Sequence, residues 1–303
     1  MSASAMLRNR LLAGDKLVSM GAWDVLSAKV IERAGFDMVA LQSFQWAAGW
    51  GLPDIAITTP SDLATLTFRM AGEIETPILV DFEEGYGSPG HASYWVREFE
   101  RAGAAALHVD DKGPVHMCPW LPGSEVRIEV SSAEYTAEII SAMASARRDD
   151  VLIIARTQVK SDGLSTAEEE QVRRLTMYIE AGADVVYAPK YATMSNDLTK
   201  LKSFAERVPV PVLAQFNPPG FIEGYIPEGS KDGRSIADRS FEEIFDCGVQ
   251  IINTSQIYAV AYRALGETLG MIREEGSLQP ARSKMLKFQE VLDLLGYERF
   301  QKQ

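Results

Sequence analysis

The sequence predicts an α/β protein, a single (β/α)8 TIM barrel domain over residues 1–303. Apolar strand-like segments alternate with amphipathic helical segments along the chain, which is typical of a parallel sheet with helical crossovers. A second observation is a repeat in which a helix end, a glycine and an apolar strand follow one another, at Gly35, Gly103, Gly182 and Gly248. The spacings of 68, 79 and 66 residues each match about two βα units, so the repeat marks every second strand of eight.

Eight segments have the composition of buried strands, and helical segments lie between them. In chain order the predicted strands are residues 16–22, 36–43, 77–84, 105–112, 151–158, 184–190, 211–216 and 250–255. The predicted helices before the last strand include residues 27–35, 60–74, 92–103, 131–146, 166–182 and 240–248. Each glycine of the repeat follows a helix, where a left-handed backbone is common.

The segment after the eighth strand is longer than one barrel helix. Residues 257–276 are predicted to form the last barrel helix, and residues 281–300 at least one extra helix in a C-terminal extension of about 278–303. The extension carries a wide apolar face outside a complete barrel, formed by Met285, Leu286, Phe288, Val291, Leu292, Leu294 and Leu295. Such a face predicts packing against a partner subunit.

Charge and cysteine content restrict the partners and the compartment. The net charge of -12 and the lack of a long Lys/Arg cluster argue against a nucleic-acid partner or an anionic membrane surface. Cys118 and Cys247 are far apart and have no metal-ligand spacing, so neither a disulfide framework nor a zinc site is predicted. The first residues do not resemble a signal peptide, and no run of about 18 apolar residues suggests a membrane span. A reducing cytoplasm is therefore expected.

Carboxylates end the predicted strands where the active site of such a barrel lies, at the C-terminal strand ends. Asp81 and Glu83 share one face of the third strand because side chains alternate. Asp110 or Asp111 lies at the end of the fourth strand, and Asp54 in the loop after the second. Several ionised carboxylates together need a cation, and hard oxygen ligands suit Mg²⁺. The alternative is that each acid caps a helix or faces solvent.

The fifth strand and the connection after the fourth supply candidate catalytic groups. Arg156 ends an apolar strand, where it could bind a substrate carboxylate or form a buried ion pair with one of the acids. The connection at 113–130 contains three prolines and two glycines and carries His116 and Cys118, the most evident acid/base candidates. Cys118 could instead be a small buried apolar residue, and Cys247 is assigned to the core.

Five segments, "GLPDIAITT", "VDFEEGYGSP", "HVDDK", "IARTQ" and "FQEVLDLLGYERF", resemble in order and spacing the isocitrate lyase and phosphoenolpyruvate mutase superfamily. The resemblance covers nearly the whole chain. It implies a (β/α)8 barrel that binds Mg²⁺, or Mn²⁺, and a small 2-oxo or 2-hydroxy carboxylate, with an enolate-like intermediate. Asp81 matches the direct metal ligand, and Glu83, Asp110 and Asp54 match the other acids of the metal site.

The same resemblance implies substrate contacts and an assembly. The superfamily commonly swaps its last helix between neighbouring subunits, so a homodimer or homotetramer is expected. Arg156 matches the arginine that contacts substrate, and Ser43 the serine in the loop after the second strand. The full set of predicted substrate-binding residues is Ser43, Phe44, Gln45, Arg156, Lys190, Gln215 and Asn217.

Departures from the superfamily pattern bear on the reaction. Where lyases carry "KRCGH" or "KKCGH", this chain reads "HMCPW", and on the seventh strand "ANMTEFG" becomes "AQFNPPG". The leading hypothesis is a Mg²⁺-dependent carbon-carbon lyase for a small 2-hydroxy or 2-oxo dicarboxylate. The "DDK" at 110–112 resembles the mutase "EDK", which favours a carbon-phosphorus enzyme of phosphonopyruvate mutase or hydrolase type, whereas Cys118 favours a lyase. A third alternative is a catalytically impaired barrel that acts as a binding protein.

Overall fold

Eight parallel strands close into the predicted barrel. The computed structural model describes residues 1–113, 118, 121, 129–159, 165–193, 198–216 and 238–301. Each strand pairs with the next in chain order, and the last returns to the first, with Leu17 opposite Ile251. The strands are β1 Leu17–Gly21, β2 Met38–Leu41, β3 Ile78–Asp81, β4 Ala106–Asp110, β5 Leu152–Arg156, β6 Val185–Tyr187, β7 Val212–Phe216 and β8 Ile251–Thr254.

Helices connect the strands and extend beyond the last one. In chain order they are α1 Ala3–Leu12, α2 Val25–Arg33, α3 Ser43–Gly49, α4 Pro60–Ala71, α5 Pro89–Arg101, α6 Ala133–Ala146, α7 Ser165–Glu180, α8 Lys190–Thr193, α9 Leu198–Ala205, α10 Phe241–Phe245, α11 Tyr258–Glu275, α12 Phe288–Leu295 and α13 Glu298–Gln301. The sequence-based predictions did not include α1, α3, α8 and α9. None of the helices in the described ranges combines the length and the apolar character needed to cross a bilayer.

The four glycines of the sequence repeat have the predicted backbone conformation. Their φ angles are +83° at Gly35, +93° at Gly103, +112° at Gly182 and +90° at Gly248. A side chain at Gly103 would also place its Cβ 2.5 Å from the Cβ of Ala71. The repeat therefore reflects a steric requirement at the helix-to-strand junctions.

Alternating side chains of the strands divide the core into two apolar layers. Outward-facing residues such as Val80 and Leu107 pack against the helices. Inward-facing residues such as Leu79 and Ala106 fill the barrel together with Leu7 and Leu11 of α1. Burying one such leucine contributes about 1.5–3 kcal/mol, so α1 closes the N-terminal end of the barrel at a substantial gain in stability.

The C-terminal helices are largely exposed within one chain. No residue of α11 is buried by the rest of the described chain. Its Leu265 and Leu269, and Phe288 at the start of α12, are more than half exposed. The ion pair of Arg299 with Glu73 ties α13 to the residues that follow α4. The helix exchange between subunits stays a prediction, and these exposed apolar side chains are its motive.

Candidate active site

Polar side chains from several strand ends converge on a small cavity at the C-terminal mouth of the barrel. The cavity holds about 40 Å³, enough for roughly three water molecules at about 10–15 Å³ each. Eight residues predicted from the sequence line it: Ser43, Phe44, Asp54, Asp81, Asp110, Cys118, Arg156 and Gln215.

Asp54 and Asp81 are held side by side by one serine. Ser43 Oγ lies 3.1 Å from Asp54 Oδ2 and 3.2 Å from Asp81 Oδ2. Ser43 is the first residue of α3, which begins directly after β2, so the short connection brings the hydroxyl to the end of β3. Burial raises the pKa of Asp54 although Lys112 opposes the shift. Ser43 therefore keeps two half-buried carboxylates next to each other at the mouth of the barrel.

Glu83 does not line this cavity; it contacts the cavity residue Lys112 from the turn after β3. The prediction placed it on the same strand face as Asp81, but β3 ends at Asp81 and Glu83 has a left-handed backbone with φ +52°. The Glu83 N–H donates to Asp81 Oδ1 at 3.1 Å, and the Glu83 carbonyl accepts from Asp110 N at 2.9 Å. A non-glycine residue with positive φ is strained, and these two hydrogen bonds hold it.

Lys112 is the cation among these acids, and the sequence analysis did not single it out. Its side chain is only 6% exposed, and its ammonium donates to Glu83 and lies 3.8 Å from Asp110 Oδ2. Burial by itself would lower the pKa of Lys112, but Asp110, Glu83 and Asp81 outweigh it and raise the pKa well above its ordinary value.

The two neighbouring aspartates of β4 have separate surroundings. Asp110 faces the cavity and accepts a hydrogen bond from Gln158 Nε2 at 3.0 Å. Asp111 points the other way and accepts from Thr157 Oγ1, Tyr178 OH and Arg174 at 2.7, 2.9 and 3.1 Å. Of the two acids that the sequence left open, only Asp110 lines the cavity, because adjacent side chains face opposite sides.

Arg156 presents a cation to the cavity from β5, where it lies next to Asp110 of β4. Its guanidinium lies 4.6 Å from the centre of the Tyr187 ring, a cation–π contact. The buried ion pair considered for Arg156 is not found within the described part of the chain, where Asp110 and Glu83 pair with Lys112 instead. Arg156 is therefore placed to bind an anionic ligand.

Gln215 lies at the centre of a buried hydrogen-bond network. Its Oε1 accepts from Gln42 Nε2 at 2.9 Å and from the Tyr187 hydroxyl, and its Nε2 donates to Ser255 Oγ at 3.0 Å. Gln45, predicted as a substrate contact, is not among the cavity residues; its Nε2 lies 3.3 Å from Gln42 Oε1 and so supports the network from behind. The network fixes the orientation of Gln215 at the cavity wall.

The remaining predicted site residues are only partly described. Cys118 is 5% exposed, lines the cavity and donates its backbone N–H to the carbonyl of Asp54 at 3.0 Å. His116 and Asn217 lie outside the described residues. Lys190 begins α8, and the structure describes its backbone but not its side chain. Cys247 is buried in the apolar core, as predicted.

The fold and the site can be compared with known proteins. Residues 7–273 match the sequence profile of the phosphoenolpyruvate phosphomutase family. The chain belongs to this family. A 2-methylisocitrate lyase of Aeropyrum pernix is 28% identical over 298 residues, which cover 98% of this chain and 88% of that protein.

Two solved structures have the same barrel fold as this chain. A phosphoenolpyruvate phosphomutase from Streptomyces platensis subsp. rosaceus has a TM-score of 0.84 at 27% identity, covering 100% of this chain and 98% of that one. A phosphonopyruvate hydrolase in complex with oxalate and Mg²⁺ has a TM-score of 0.81 at 25% identity, with the same coverage. The family match includes all of the cavity residues and ends before α12.

His108 is a cavity residue of this family member that the sequence analysis did not select. Its ring is 4% exposed, with Nδ1 3.6 Å from Asp81 Oδ1 and the ring centre 5.1 Å from that of Tyr187. Its Nε2 is buried and has no hydrogen-bond partner within the described ranges. The signal that could have found it is the alternation along β4, which puts His108 and Asp110 on one face.

Burial lowers the pKa of His108 to about 4, which makes folding sensitive to acid. The unfolded chain binds a proton near pH 6.5 and the folded chain only near pH 4, so stability is full above pH 6.5 and falls towards pH 4. We expect metal-free protein to lose about 3 kcal/mol of unfolding free energy through this group between those limits. Urea unfolding at several pH values should show this loss, and His108→Gln should remove it.

The exposed His91 on α5 provides the control for this prediction. His91→Gln should leave the pH dependence of stability as it is in the wild type. Other groups titrate over the same pH range. The informative quantity is therefore the difference in unfolding free energy between wild type and His108→Gln at each pH. Parallel curves for these two proteins would contradict the prediction.

Proposed function

We propose that this protein is a Mg²⁺-dependent carbon-carbon lyase that acts on a small 2-hydroxy or 2-oxo dicarboxylate through an enolate intermediate. The observation that carries the proposal is that carboxylates and a guanidinium line one cavity. Ser43 bridges Asp54 and Asp81, and the guanidinium of Arg156 forms no ion pair with a carboxylate among the described residues. This arrangement suits a ligand that offers a carboxylate to Arg156 and an oxygen to a metal ion.

The donor set of the cavity fits Mg²⁺. Asp54, Asp81 and Asp110 line the cavity and offer the carboxylate oxygens that Mg²⁺ prefers. Ser43 holds Asp54 and Asp81 close together. Within the described ranges no three His, Cys, Asp or Glu side chains gather closely enough to ligate one ion, but Mg²⁺ usually keeps several waters and needs only one or two carboxylates. We propose Asp81 as the direct ligand and Asp54, Glu83 and Asp110 as partners of its waters, with Mn²⁺ as a substitute.

The other residues of the cavity would orient the substrate and move a proton. When bound, Mg²⁺ would supply a Lewis acid for the negative charge that develops on the substrate. Arg156 would bind a carboxylate, and Ser43, Phe44 and Gln215 would shape the site around it. Cys118, next to Asp54, is the proposed proton donor or acceptor. His116, Lys190 and Asn217 stay candidate contacts from the sequence.

A carbon-phosphorus reaction is the second candidate, because Lys112 belongs to the mutase-like "DDK" and projects into the acid cluster. The test is an assay of pyruvate, glyoxylate and phosphate release, in Mg²⁺, from a panel of 2-hydroxy and 2-oxo dicarboxylates and phosphonopyruvate. Release of a 2-oxo acid from a dicarboxylate supports the lyase. Phosphate release from phosphonopyruvate, or its isomerisation to phosphoenolpyruvate, supports the second candidate as a hydrolase or a mutase. Metal binding without turnover of any member would favour a barrel that only binds its ligand.

We also propose a homodimer or homotetramer in the reducing cytoplasm, where the free thiols of Cys118 and Cys247 would persist. Light scattering at micromolar concentration should give the mass of two or four chains. Phe288→Glu on α12, where this side chain is 77% exposed, should shift the protein towards the monomer because the charge would enter an apolar interface. Phe68→Glu on α4, similarly exposed at 66%, is the control and should leave the mass unchanged. A monomeric wild type would contradict the proposal.

A further inference from the structure

The side chain of Lys112 lies where the proposed metal site needs free carboxylates. Its ammonium donates to Glu83 and lies 3.8 Å from Asp110 Oδ2. Both acids are proposed partners of the metal's waters. Lysine is rarely buried without pairing, and at 6% exposure this side chain has its charge matched by these two groups.

The backbone of Lys112 is held in place, so only its side chain can move. Its N–H donates to Asp110 Oδ1 at 3.2 Å, and the residue forms an antiparallel bridge with Val130. The preceding peptide is tied to the same returning segment, because Ser131 N donates to the carbonyl of Asp111 at 2.8 Å. The four-carbon stem is flexible by comparison, which allows the ammonium to leave the acids while the chain stays where it is.

A divalent ion and this ammonium compete for the same oxygens. Two cations a few ångströms apart in a buried site repel one another strongly, because the effective dielectric constant there is low. Glu83 and Asp110 can therefore pair with the ammonium of Lys112 or bind the water ligands of a metal ion. Each interaction weakens the other. Asp54 and Asp81, joined through Ser43, stay available to start metal binding.

We propose that Lys112 is an internal competitor of the metal ion, whose ammonium holds Glu83 and Asp110 in the metal-free protein and is displaced when the ion binds. This inference rests on the proposed function, because it uses the same metal site. The lysine keeps the acid cluster neutralised and folded without metal, and it weakens metal affinity as a consequence.

The first test measures Mn²⁺ binding to the whole protein by calorimetry or electron paramagnetic resonance, without substrate. Lys112→Met keeps the length of the stem and removes the charge, and it should bind Mn²⁺ at least tenfold more tightly than the wild type. Lys29→Met is the matched control, since Lys29 is also mostly buried and paired, with Glu73 at 2.6 Å, away from the site. This control should bind Mn²⁺ as the wild type does.

The second test needs no variant and so does not depend on Lys112→Met folding. Wild-type protein is acetylated briefly with and without Mg²⁺, and modification of each lysine is measured by mass spectrometry. Lys112 should be modified more when Mg²⁺ is bound, whereas Lys16, whose side chain is 52% exposed, should react equally in both samples. Unchanged or reduced modification of Lys112 in the metal-loaded protein would overturn the displacement.

The outcomes separate this inference from the proposed function. Equal or weaker Mn²⁺ binding in Lys112→Met, with binding still lost in Asp81→Asn, overturns the competition and leaves the metal site intact. Binding that survives Asp81→Asn removes the proposed metal site itself. Absence of Mn²⁺ binding in both wild type and Lys112→Met overturns the metal site and the competition. Binding in Lys112→Met alone supports the competition and shows that the wild type does not bind the proposed metal.

Discussion

Asp81→Asn should reduce metal-dependent turnover by on the order of 10³-fold while leaving the barrel folded. The substitution keeps the shape of the side chain and removes the charge that the proposed direct ligand contributes. Burial by itself would raise the pKa of Asp81, but the charges of Lys112 and Arg156 and the hydrogen bond from the Glu83 N–H help to lower it overall, so the wild-type group is ionised at neutral pH. The measurements are kcat at saturating Mg²⁺, Mn²⁺ affinity and thermal unfolding.

Asp184 supplies the control for this variant at the opposite end of the barrel. It precedes β6 and pairs with Arg8 at 2.8 Å and with Arg147. Asp184→Asn should lower the melting temperature because two arginines lose their partner, and it should leave kcat and metal affinity unchanged. Near-normal turnover of Asp81→Asn with metal present would show that the cation is held elsewhere.

Cys118→Ala should reduce the turnover number by roughly 10² to 10⁴, the usual effect of losing a proton-transfer group. Cys118 lines the cavity, and its backbone N–H donates to the carbonyl of Asp54, so we expect its thiol to lie near the proposed metal and substrate. KM and the melting temperature should change little, because alanine occupies a similar small volume. Steady-state kinetics at several substrate concentrations separate kcat from KM.

Cys247→Ala is the matched control, since this second free thiol is buried in the apolar core and has only weak contacts with the carbonyls of Glu243 and Leu198. It should lower the melting temperature slightly and leave turnover unchanged. Full activity of Cys118→Ala together with an inactive His116→Ala would move the proton-transfer role to the histidine. That result would also weaken the lyase assignment, which relies on the retained cysteine.

Most of the barrel could be predicted from local sequence. The strands are short apolar runs, and four of the junctions before them need glycine because the backbone there has positive φ. Two of the helices that were missed have weak local signals. The helix α3 begins directly after β2 without a capping side chain, and α8 contains only four residues. Their positions depend on packing against the barrel, which composition does not reveal.

Site prediction succeeded where a residue ends a strand and faces the mouth. This holds for Asp81, Asp110 and Arg156, each of which is the last residue of an apolar strand. Because side chains alternate along a strand, the local pattern also predicts which side each one faces. Glu83 was placed in the site for the wrong reason, because its left-handed backbone turns the chain after β3 has ended. Gln45 was expected to contact substrate and instead supports Gln42 behind the cavity wall.

The sequence by itself determined the eight-stranded barrel and the end of the barrel that carries the acids. It also determined the family to which the chain belongs. Only the tertiary structure decided how the charges are matched. Lys112 and Glu83 are 29 residues apart in the chain, and His108 meets Asp81 across two neighbouring strands. Such pairings depend on which strand ends meet when the barrel closes and on burial from water, which sets their strength. A local segment of sequence specifies neither the strand ends that will meet nor the burial of their side chains.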